Sequence, residues 1–143
     1  MARKAQADVL AEIERARTHG EAPNLRGWNL SVRRLRDIDL TGADLTNANL
    51  HGAQFEKVNL TGATLENADL RKARFGDSRG LTPHQLLDTH GLSQWLGTGP
   101  PPDIWNALLP KDPNARELTE RLLQDWDGTL REAITTAEEL RAA

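Results

Sequence analysis

The chain has 143 residues, a formal net charge of −3, no cysteine and only 4% aromatic residues. This excludes disulfides and thiolate metal sites, and it lacks the basic surplus of a dedicated nucleic-acid binder. No stretch approaches the roughly 18 apolar residues of a membrane span, so a soluble cytoplasmic protein is expected.

The N-terminal segment carries Arg3, Lys4, Asp8, Glu12 and Glu14 without an unbroken apolar run, which does not resemble a signal peptide. Residues 3–18 read as a helix with Val9, Leu10, Ile13 and Ala16 on one face, stopped by Gly20. This helix is expected to plug the end of the next element, with Trp28 packing against it.

From Leu25 the chain becomes periodic. Leu25, Leu30, Leu35, Leu40, Leu45, Leu50, Phe55, Leu60, Leu65, Leu70 and Phe75 stand at every fifth position. Two residues before most of them is a small apolar residue, and the residue between is usually Asp or Asn. A period of five suits neither a helix nor a flat strand. It suits a chain that turns a corner every five residues, with one large and one small residue inside. Four corners close a coil of twenty residues, and Asp, Asn, Gly and Thr are residues that tolerate tight corners. Leu35, Phe55 and Phe75 then form one inner column and Leu25, Leu45 and Leu65 another.

Stacking at twenty residues also places Arg36 next to Glu56, Asp37 next to Lys57 and Asp77, and Asn47 next to Asn67 as an amide ladder. The unit RRLRD departs from the pattern, because Arg33 stands where a small inward residue belongs. Either the corner bulges there or Arg33 escapes at the edge of the first coil. The cluster Arg33, Arg34 and Arg36 is a candidate site for an acidic partner.

The units IDLTG, ADLTN, ANLHG, VNLTG, ATLEN and ADLRK closely resemble the pentapeptide-repeat family. The resemblance covers about 55 residues. It implies a mainly β fold with added helices: a right-handed quadrilateral parallel β-helix. About two and three-quarter coils are expected, roughly 13 Å tall at β-sheet spacing. The organisation expected is a capping helix over 1–20, the β-helix over 21–77 and a helical region over 78–143. Some family members resemble a DNA duplex and bind DNA gyrase or topoisomerase IV. That resemblance stops short here, because residues 21–76 carry eight basic and seven acidic groups.

After Phe75 the period ends at Gly80. Thr82, Pro83 and Gln85 read as a helix start, with a helix to His90. Residues 97–102 (GTGPPP) form a loop or hinge, and Asp103 starts a short helix through Trp105. Asp112-Pro113 opens a helix aligning Leu118, Leu122 and Trp126. Thr129 and Glu132 form a capping box for a last helix with Leu130, Ile134, Ala137 and Leu140. Residues 77–143 hold six basic and eleven acidic groups. Trp95, Trp105 and Trp126 suit a small helical core or an interface.

No nucleophile elbow, phosphate loop or completed metal cluster is present; His84, Asp88 and His90 form at best a loose group. No cofactor, metal or catalytic residue is expected. The sequence reads as a non-catalytic interaction or scaffold module, with a DNA-mimic modulator of gyrase as the alternative. The expected partner is a protein or a second copy, not nucleic acid or membrane. The candidate surface comprises Trp105, Leu118, Leu122, Trp126, Leu130, Ile134 and the three arginines. It includes a homodimer contact through the C-terminal helices, because one coil does not easily cover both apolar stripes.

Overall fold

The computed structural model describes residues 4–75, 78–90, 109–123 and 129–142. Expectations for Trp95, the 97–102 loop, Trp105 and Trp126 lie outside the described residues.

The periodic region is a repeat β-helix. Backbone pairing joins each residue to the one twenty positions on: Asn24 with Asp44 and Thr64, Asn29 with Asn49 and Asp69, Gln54 with Arg74, and Asp39 with Asn59 and Arg79. The hydrogen bonds alternate as in a parallel ladder. Leu25 N–H donates to Asp44 O at 2.8 Å and Asp44 N–H to Pro23 O at 2.9 Å. Four five-residue units therefore make one coil, and units twenty apart form a stack, named here by its first apolar residue.

The large residues from Leu25 to Phe75 are all buried, as are the small ones from Ala43 to Ala73 and Ile38 and Val58. Phe55 and Phe75 stack with ring centroids 5.0 Å apart and planes 2° apart, as the twenty-residue register requires.

The corners have a local cause. The last residue of ten consecutive units, from Gly27 to Lys72, has φ between 53° and 71°. In most units a turn bond closes around it; Ala43 N–H donates to Leu40 O at 3.0 Å. Positive φ at the third turn residue favours Gly and Asn, and Gly27, Gly42, Gly52, Gly62, Asn47 and Asn67 stand there. The Asp or Asn ahead of the leucine accepts the next backbone N–H: Asn49 Oδ1 from His51 at 3.1 Å and Asp39 Oδ1 from Thr41 at 3.0 Å. The Leu35 stack lacks that Asx residue. Its first two units form three-residue strands, β1 (Arg34–Arg36) and β2 (Gln54–Glu56), paired in parallel register.

Helix α1 (Gln6–Thr18) closes the first coil. Asp8 accepts the Ala5 N–H at 2.8 Å at its start. At its end Gly20 has φ 66°, and Glu21 N–H returns to Ala16 O at 2.8 Å. Val9, Ile13 and Ala16 are buried, but Leu10 is exposed. The expected face was one residue too wide: 9, 13 and 16 follow the helical spacing and Leu10 lies a turn of about 100° away. The helix satisfies groups at the open edge. Glu12 accepts the Asn24 N–H at 2.8 Å. The Gln6 amide donates to Arg36 O at 3.3 Å and accepts Arg36 N–H at 3.2 Å. Lys4 N–H reaches Asn29 O, and its ammonium lies 5.0 Å from the Trp28 ring centroid.

The coil does not stop at Gly80 as the sequence suggested, and the helix expected to reach His90 is only α2 (Pro83–Leu86). His90 pairs with Asp69, its N–H donating to Ala68 O at 2.9 Å. The ladder step here is twenty-one residues, because one turn of helix replaces a corner. The Thr82–Gln85 capping box forms as expected, and Gln85 Nε2 also donates to Leu60 O at 2.8 Å and Ala63 O at 3.0 Å.

Helix α3 (Pro113–Leu123) starts at Asp112, which accepts the Asn114 N–H at 2.9 Å. Helix α4 (Leu130–Ala142) starts at Thr129, whose hydroxyl accepts the Glu132 N–H at 3.3 Å. The two pack on each other, and α4 also packs on the coil: Leu130 and Ala133 join the core cluster with Leu86. Thr129 pairs with His90, Arg131 N–H donates to Leu87 O, and the Arg131 guanidinium meets Asp88 at 2.9 Å.

Candidate interaction surface

With the inside of the coil filled by the repeat, chemistry is left to the outward side chains and the two ends. The Asx residues are committed to corners, and their electrostatics show it. Hydrogen bonds from the Thr41 hydroxyl and N–H hold Asp39 below the usual carboxylate range. Burial acts to raise Asp44 and Asp69. The Thr46 and Arg26 donors outweigh it at Asp44, and the Arg71 donors outweigh it at Asp69, so both end lower. At α1, the Arg15 guanidinium holds Glu12 down to about 2, against its own burial and with help from the Asn24 N–H.

The predicted arginine cluster is engaged within the chain. Arg33 is half-buried and its Nε donates to Lys4 O at 2.8 Å. It thus escapes at the edge of the first coil, one of the two outcomes its position allowed. Arg36 meets Glu56 at 2.9 Å and Arg34 the same carboxylate at 3.6 Å, so the first acidic partner of this cluster is Glu56. Asp37 and Lys57 share a column without an ion pair between them, and Asp77, expected in the same column, lies outside the described residues. The amide ladder expected of Asn47 and Asn67 does not form: Asn67 Oδ1 lies 3.3 Å from His90 Nε2 instead. Asp37, Asp39, Lys57 and Arg79 line a shallow groove of about 390 Å³ beside this column.

The predicted apolar surface is divided. Leu130 is fully buried and is withdrawn as a docking residue, because the coil end covers it. Ile134 is half-buried against the same core. The coil end covers Leu130 and Ala133 of the α4 stripe and packs against Ile134. Leu118 and Leu122 remain half-buried on α3, whose most buried positions are Ala115 and Thr119. Trp105 and Trp126 lie outside the described residues. The arginines belong to the first coil and the leucines to the far end, so the structure does not bring them into one surface.

Sequence reading passed over Lys72 and Arg74. Both are exposed, and neither side chain has an ion pair or hydrogen bond among the described residues. Their signal was present as the basic run Arg71-Lys72-Ala73-Arg74, hidden inside the repeat. Asp88 is held by Arg131 and His90 faces Asn67, so the loose group of His84, Asp88 and His90 is not assembled. Among the described residues no group of side chains suits a metal ion, and no helix is long and apolar enough to cross a membrane.

The family model for pentapeptide repeats matches in eight copies, over residues 24–62 and 34–77. No curated protein matches the chain. A solved structure of a pentapeptide repeat protein from the thylakoid lumen of Arabidopsis thaliana is similar at 18% identity. That match covers 79% of this chain and 74% of the other, with a TM-score of 0.34. The repeat matches, together with the five-residue units stacked at twenty-residue spacing, identify residues 24–77 as a domain of the pentapeptide-repeat family.

Proposed function

We propose that the protein is a non-catalytic protein–protein interaction module, a rigid right-handed quadrilateral coil working in the cytoplasm. The observation that carries this reading is closure of the coil by the chain's own helices. Open strand edges invite indiscriminate pairing. Here Glu12, Gln6 and Lys4 occupy groups at one end, and Gln85 and the 87–90 segment occupy groups at the other. Closure leaves the outward side chains of the stacks and the exposed side of α3 and α4 as the working surface. The DNA-mimic alternative gains no support from this surface, since Lys57, Lys72 and Arg74 interrupt any run of negative charge.

The test is affinity capture with the full chain, followed by size-exclusion chromatography of the captured complex. A stoichiometric complex is expected, weakened by outward substitutions such as Leu122→Ser that leave the circular-dichroism melt unchanged. A complex indifferent to every outward substitution, or inhibition of gyrase supercoiling at sub-micromolar protein, overturns the reading.

A further inference from the structure

We propose that the Leu35 stack is a docking face for the acidic last helix of a second copy of this chain. This rests on the interaction-module reading and names the partner. Arg34, Gln54 and Arg74 stand in one column in parallel register. At about 4.8 Å per coil, Arg34 and Arg74 are about 9.6 Å apart. Lys72 and Lys57 flank them, and neither has an ionic partner among the described residues. Among the described residues, Glu56, shared between Arg34 and Arg36, and Asp37, in the column of Lys57, are the carboxylates on this side. This side of the coil therefore carries more positive charge than its own carboxylates neutralise.

The complementary surface is on α4. Glu132 and Glu139 are exposed, have no ion pair among the described residues, and stand seven residues apart on one helical face. At 1.5 Å per residue their separation along the axis is about 10.5 Å, close to that of the two arginines. Each surface also carries one exposed large apolar residue. Val32 is 64% exposed at the corner before Arg34, and Leu140 is 55% exposed beside Glu139. Two ionic contacts with one apolar contact at the Arg34 end suit a weak, salt-sensitive interface. The two surfaces are different parts of the molecule, so the contact is head-to-tail and continues beyond a dimer.

Sedimentation equilibrium of the full chain decides it. At low ionic strength the weight-average mass should rise with concentration past that of a dimer. It should return to monomer at about 0.5 M salt, where screening shortens to a few ångströms. With Val32 meeting Leu140, Glu139 opposes Arg34 and Glu132 opposes Arg74, so R74E alone and E132R alone should each weaken association by about fivefold. Mixing the two variants should restore at least a one-to-one complex, because the intact arginine column of one copy meets the intact α4 of the other. Folding of each variant is checked by its thermal melt, and the mixture keeps the test valid if one variant is less stable. Monomer at every salt and concentration, association insensitive to salt, or no recovery in the mixture overturns the proposal. So does binding of polyglutamate that R74E removes while self-association persists, since the face would then serve another acidic chain. A heterologous complex captured from a chain that stays monomeric at low salt would remove this proposal and leave the interaction-module reading standing.

Discussion

The Leu30 and Leu35 stacks are both filled inside, one by leucines and the other by Leu35, Phe55 and Phe75, but they turn their corners differently. In the Leu30 stack Asn29, Asn49 and Asp69 each accept the backbone N–H two residues on, and the leucine carbonyl closes a turn at 3.0–3.2 Å. In the Leu35 stack Arg34 and Gln54 stand at those positions, and the chain runs as β1 and β2 instead. The difference teaches that the leucine period fixes what is inside, while the Asx residue decides how sharply each corner turns. Relieved of that duty, the Leu35 stack is free to display Arg34, Gln54 and Arg74 outward.

The largest effect should be blind to the comparison. Ala68→Arg, in the Leu30 stack, and Ala53→Arg, in the Leu35 stack, both force a long charged group into a filled, dry interior. Each should cost at least about 3 kcal/mol in urea denaturation. A large difference between them would mean that the stacked Phe55 and Phe75 make the second interior more or less yielding than the leucine column of the first.

Val32 offers a gain. It is a β-branched residue held at φ 60° with its side chain mostly in solvent. Val32→Asn should stabilise by about 1 kcal/mol, because Asn tolerates that conformation. An unchanged or lowered melting temperature would show that Val32 makes a contact worth more than its strain.

Asn49→Ala removes a half-buried acceptor from a corner and should cost about 1 kcal/mol, whereas Gln54→Ala should be nearly neutral. Equal losses would break the distinction between the stacks.

The smallest effect is in acid. Asp39, Asp44 and Asp69 are held below their ordinary range in the folded chain. As pH falls, the unfolded chain therefore takes up protons first. Their contribution is complete above the unfolded carboxylate value of about 4 and is lost as pH falls through the folded values. Glu12 adds the same trend over the window from 4.5 to about 2. Melting temperature should decline over that window. Replacing the three aspartates by Asn, which keeps the accepting oxygen, should flatten the decline.

The inner columns were legible in the sequence because burial repeats every five residues and nothing else in the chain does. The Arg36–Glu56 pair followed from the same arithmetic. The continuation of the coil to His90 was not legible, because α2 shifts the ladder step from twenty to twenty-one and breaks the count. Leu130 was seen as apolar, but a stripe does not name what covers it; only the meeting of α4 with Leu86 and Leu87 does. The arginines at the first coil were readable as a cluster. Arg33 reaching Lys4 O was not, since it depends on where α1 lands.

The two glutamines that bind the coil ends have a consequence for how such a molecule can change in length. Gln6 grips Arg36 and Gln85 grips Leu60 and Ala63, so each closure is anchored to its own neighbouring residues. Neither end measures the distance to the other. A tandem duplication of twenty residues in the middle would add one storey of about 4.8 Å and leave both closures intact. The architecture can thus grow by whole storeys, each bringing a new row of outward side chains at a preset height.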